Sequence, residues 1–96
     1  MFVISLRYIK PLSEIDRLMD EHRKFLKGHY KSGAFLMSGK KEPRVGGIII
    51  ATAASKAEIE AIIKQDPFHR EKAAEYEIIE FLPTMTASFL SQYISV

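Results

Sequence analysis

Hydrophobic and polar positions change their period along the chain, and each change marks an element. From Met1 to Tyr8, Phe2, Ile4, Leu6 and Tyr8 alternate with Val3, Ser5 and Arg7, the period-two pattern of a half-buried strand. Pro11 breaks it. Ser13, with Asp16 three residues later, has the form of a capping box with Asp in place of Glu. Ile15, Leu18, Met19, His22, Phe25, Leu26 and Tyr30 then recur at spacings of three and four, which predicts an amphipathic helix over 13–31. Asp16, Arg17, Asp20, Arg23, Lys24 and Lys27 form its solvated outer face, and Gly33 is placed as its C-terminal stop.

Ala34–Ser38 predicts a short second strand ended by Gly39. A polar turn around Pro43 follows, and Gly46-Gly47 opens Ile48–Ala53, a run apolar on both faces and so a central strand. The second and third strands pair as a hairpin with a loop longer than two residues. Ser55 and Glu58 complete a capping box for a second helix, buried through Ala57, Ile59, Ala61, Ile62 and Ile63 and stopped by Pro67. Phe68–Lys72 reads as an irregular turn, and Tyr76–Leu82 as a fourth strand ended by Pro83. The order β-α-β-β-α-β is the ferredoxin-like α+β arrangement, with both helices on one face of a four-stranded antiparallel sheet. Residues 1–83 form that one domain. Met85, Phe89, Leu90, Tyr93 and Ile94 give residues 84–96 the spacing of a C-terminal helix, or an arm that docks on the body or on a neighbouring subunit. The uncovered face of the first, third and fourth strands keeps apolar positions that a homodimer, packed sheet to sheet, would bury.

Composition narrows the function classes. The chain has 96 residues, 47% of them hydrophobic, enough for one core and too few for a second domain. Its net charge of +2 mixes both signs throughout, so no nucleic-acid or anionic-membrane partner is expected. RNA-recognition domains share this strand order, but they stack bases on aromatic residues of the central strands, and Ile48–Ala53 has none. The absence of cysteine removes disulfides and thiolate chemistry and fits a reducing compartment. No signal peptide and no membrane span are expected, which points to a cytoplasmic protein.

Candidate chemistry centres on Gln65–His69, where a charge, a proline and an apolar anchor meet. Asp66 precedes proline and is a good N-cap for a turn beginning at Pro67; it also has a route to His22, since both helices lie on one face. An imidazole at His22, on the inner stripe, is partly desolvated and stays neutral unless a carboxylate pairs with it. Two readings remain open there: a core histidine bonded to a backbone carbonyl, or half of a proton-transfer pair. Ser38-Gly39 and Pro43-Arg44 with Gly46-Gly47 bring a hydroxyl, open backbone and a guanidinium to one end of the sheet. Arg7, on the second face of the first strand, either lines a pocket or crosses a dimer interface. His29 and His69 lack a ligand set with His22, so no metal site and no cofactor are expected.

Glu21-His22-Arg23-Lys24-Phe25-Leu26, Ser38-Gly39, Pro43-Arg44-x-Gly46-Gly47 and Asp66-Pro67-Phe68 followed by Tyr76–Phe81 resemble, in order and spacing, the YciI-like (YCII-related) proteins over roughly residues 2–83. The resemblance implies a ferredoxin-like fold paired as a dimeric α+β barrel. It also implies a pocket whose suspected catalytic pair corresponds to His22 and Asp66; Ser38, Arg44, Arg7 and Phe68 are the substrate-binding candidates that the residues themselves offer beside it. Relatives with known chemistry act on small ring compounds, including by dehydrochlorination. Lys40 stands where a proline often follows the Ser-Gly pair, and His69 where a small apolar residue is common. The expectation is a dimeric or larger cytoplasmic enzyme that moves a proton on a small cyclic substrate in a lyase, isomerase or hydrolase step. The alternative is a binding or sensing module with the same pocket.

Overall fold

The computed structural model describes residues 1–95; Val96, the last residue of the expected arm, lies outside them. The strands β1 (Phe2–Tyr8), β2 (Phe35–Lys40), β3 (Gly46–Ala51) and β4 (Ala74–Glu80) form one sheet in the order β2-β3-β1-β4. Every neighbouring pair is antiparallel. Helices α1 (Leu12–Ser32) and α2 (Lys56–Ile63) and a single turn, α3 (Pro67–Arg70), precede β4. The ferredoxin-like α+β fold expected from the hydrophobic pattern is the fold observed.

Alternation in β1 decides which way the sheet faces. Phe2, Ile4 and Leu6 are buried and join Ile15 and Leu18 of α1, Ile59 and Ile63 of α2, and Phe68 in one core. The opposite side of the sheet carries Val3, Met37, Ile50 and Ile79, and Met37 and Ile79 are exposed. α1 ends at Gly33, whose φ of 86° is the left-handed conformation that a Cβ disfavours. At Gly46 the demand is steric, because a Cβ there would sit 1.8 Å from the Leu6 carbonyl oxygen.

Several boundaries differ from the sequence pattern. The box at Ser13 does not form: α1 begins at Leu12, with Pro11 at its N-cap and no side-chain cap. The Asp16 carboxylate instead holds Arg44 from the β2–β3 loop, at 2.6 Å. Gly39 does not end β2 but pairs with Ile48 inside it. β3 stops at Ala51 and β4 starts earlier, at Ala74. Residues 68–72 are not wholly irregular, because Asp66 caps a helical turn that begins at Pro67. At α2 the Ser55 cap does form, its Oγ accepting from the Glu58 amide at 3.3 Å, while Glu58 Oε2 reaches back one residue past the N-cap to accept from the Ala54 amide at 3.1 Å. The C-terminal arm contains a 3₁₀ helix over Ser88–Tyr93. Met85 and Phe89 are 88% and 77% exposed.

Candidate active site between α1, α3 and the β2 edge

Two local rules bring an aspartate and a histidine together. Proline lacks an N–H, so the first amide of α3 needing an acceptor belongs to Phe68. The residue before proline is held extended, and Asp66, at φ −72° and ψ 128°, takes up the capping conformation. Its Oδ1 accepts the Phe68 amide at 3.0 Å and also faces Nδ1 of His22 at 2.9 Å. Oδ2 accepts the Tyr76 hydroxyl at 2.6 Å. Asp66 is 0% exposed, so three donors converge on a carboxylate sealed from water.

Because a carboxylate only accepts, Nδ1 of His22 is the donor in that pair. Among the described residues Nε2 has no protein hydrogen-bond partner, and the side chain lines a cavity of about 440 Å³. The ring is held on its face as well as its edge: His22 stacks on Phe68, with centroids 4.1 Å apart and planes 11° apart. Phe68 in turn meets Tyr8 edge-on at 5.9 Å. When neutral, an imidazole whose Nδ1 donates carries its lone pair on Nε2, the atom a general base uses. The Tyr76 phenol keeps its proton: burial first, then the neighbouring Asp66 charge, pushes its pKa well above the ordinary value near 10.

The remaining candidates divide. Ser38 lines the cavity, its Oγ hydrogen-bonded with the Tyr30 hydroxyl. Arg44 lines it too, though its guanidinium is held by Asp16, whose hydrogen bond raises the arginine pKa further. Phe68 forms part of the wall. Arg7 is not brought to the cavity; it lies exposed on the opposite sheet face in an ion pair with Glu75. His29 is hydrogen-bonded to Gln65 at 2.8 Å. Among the described residues no three His, Cys, Asp or Glu side chains converge to hold a metal ion.

The hydrophobic pattern did not single out Tyr76 or Arg23 as parts of this site, and Lys40 stood out only as a departure from the family at the pocket rim. Tyr76 was readable only as a strand residue. Its register opposite Leu6 turns it inward, and a half-buried phenol directed at the core needs an acceptor.

The sequence profile of the YCII-related domain matches residues 1–82. The chain belongs to the YCII-related domain family. Among solved structures, this YCII-related fold is similar to 5-chloro-2-hydroxyhydroquinone dehydrochlorinase (TftG) from Burkholderia phenoliruptrix AC1100, in complex with 2,5-dihydroxybenzoquinone. The TM-score is 0.72 at 16% identity, over 86% of this chain and 95% of that one. At that identity the likeness is one of fold. No curated protein matches the chain in sequence. Among the described residues no helix is long and apolar enough to cross a membrane.

Proposed function

We propose that the protein is an enzyme that moves a proton on a small ring compound, with His22 as general base and then acid, and Asp66 orienting it. The observation that carries this is the 2.9 Å contact between His22 Nδ1 and the buried Asp66, with Nε2 left free on a cavity wall. Nε2 takes a proton from the substrate, Asp66 stabilises the imidazolium that results, and the proton returns to the product or the leaving group. Ser38 and Arg44 bind substrate oxygens, and Phe68 supports the reacting imidazole. Membership of the family supports the reading, as does a similar fold in a dehydrochlorinase of a hydroxylated ring. The same reading has the protein act in the cytoplasm as a homodimer, closed over the Val3, Ile50 and Ile79 face, with the arm from Thr84 lying against the partner.

The test is proton exchange in D₂O on a panel of hydroxyquinols, hydroxybenzoquinones and cyclic enols, followed by NMR. Wild type is expected to accelerate exchange or elimination in at least one compound, and His22→Gln to lower that rate by on the order of 10²-fold or more. A panel left unchanged by wild type, or a rate that His22→Gln does not diminish, rejects the assignment.

A further inference from the structure

The cavity beside His22 has a charge pattern that proton transfer alone does not call for. Its wall includes three cationic side chains, Arg23, Lys40 and Arg44, and no aspartate or glutamate. Two of them have carboxylate neighbours. Arg44 donates to Asp16 at 2.6 Å, and Arg23 lies 3.8 Å from Asp20. Lys40 is different: among the described residues its ammonium forms no ion pair. It is the last residue of β2, paired with Gly47 and two residues on from Ser38. The pleat therefore turns Ser38 and Lys40 to the same, helix-covered side.

An unpaired ammonium at the rim of a concave, half-apolar wall raises the local concentration of anions, because the low-dielectric surroundings focus its field into the opening. The rest of the wall is suited to an uncharged body: Leu6, Met19, Leu26, Ile49 and Phe68 all contribute to it. A volume of about 440 Å³ falls in the range of small-molecule sites. The Ser38 hydroxyl, beside Lys40, can donate to the same oxygen that the ammonium attracts.

We propose that the cavity takes a small organic anion, a carboxylate or phenolate, whose charged oxygen meets the Lys40 ammonium while its apolar body lies along Phe68, Met19 and Leu26. This rests on the reading of the cavity as a small-molecule site and adds the charge of its ligand. Lys40 selects the ligand, and the reacting group remains His22.

The experiment is calorimetric titration with benzoate and with its neutral counterpart benzamide. Wild type is expected to bind benzoate at least about tenfold more tightly, with the preference shrinking as salt is raised. Lys40→Gln should bring the two affinities within about twofold, and Lys40→Arg should keep most of the preference. Lys40 is exposed, so thermal melting of both variants should match wild type. Equal binding of the two probes overturns the inference, as does binding of neither, or a preference that survives Lys40→Gln. The affinity ratio reads charge selection alone, so its collapse would leave the His22-dependent exchange test standing.

Discussion

At the scale of single residues, Asp66 does two jobs that a sequence reading treats as rivals. It caps α3 and it holds His22, and both bonds end on the same oxygen. The second oxygen is committed to Tyr76. Removing that hydroxyl leaves a buried acceptor unpaired, so Tyr76→Phe should lower stability at neutral pH by about 1–3 kcal/mol in urea denaturation. The Tyr76 pKa is raised in the folded protein. Its contribution is therefore complete below pH 10 and declines above it, as the unfolded phenol ionises while the folded one does not. The stability gap between wild type and Tyr76→Phe should narrow by about 1.4 kcal/mol per pH unit beyond that point. A gap that is constant between pH 8 and pH 11 would refute this account. On the residues alone the contact of His22 with Asp66 was one of two open readings, and the family resemblance rather than the pattern favoured it. The bond from Tyr76 was not among the readings, because periodicity reports that a position faces inward and says nothing of what its polar tip will find there.

At the scale of elements, the chain's punctuation was legible at one glycine and one polar cap and misleading at another of each. Gly33 ends α1 as its conformation requires, and Ser55 with Glu58 opens α2. Ser13 and Asp16 have the same spacing as a box, yet Asp16 is drawn away by Arg44, a partner that only the folded hairpin supplies. Gly39 was read as a stop, but nothing lies within 4 Å of a Cβ built there, whereas one built at Gly46 strikes the β1 backbone. Two substitutions separate these roles. Gly46→Ala should cost at least roughly 3 kcal/mol, since backbone rather than a flexible side chain must yield. Gly39→Ala should stay within about 0.5 kcal/mol of wild type or gain slightly. Paired chemical-denaturation curves decide it, and equal losses at the two sites would show that the close approach at Gly46 does not matter.

At the scale of the whole molecule, two helices cover one face of four strands, and the other face retains Val3, Met37, Ile50 and Ile79. Patches of this kind are usual at interfaces between subunits. Wild type should therefore sediment at twice the chain mass, and Ile50→Glu, on the central strand β3, should sediment at the mass of one chain while keeping its circular dichroism. A wild type that sediments as a single chain at micromolar concentration would remove the dimer. The bond between His22 and Asp66 spans 44 positions of sequence. On the proposed mechanism neither half of the chain holds both members of the pair, so proton-transfer activity would report that both halves have found each other. If that mechanism holds, activity recovered from two separately expressed halves would serve as a direct assay of long-range docking, more sensitive to the packing of α1 on α3 than any spectroscopic average of helix and strand.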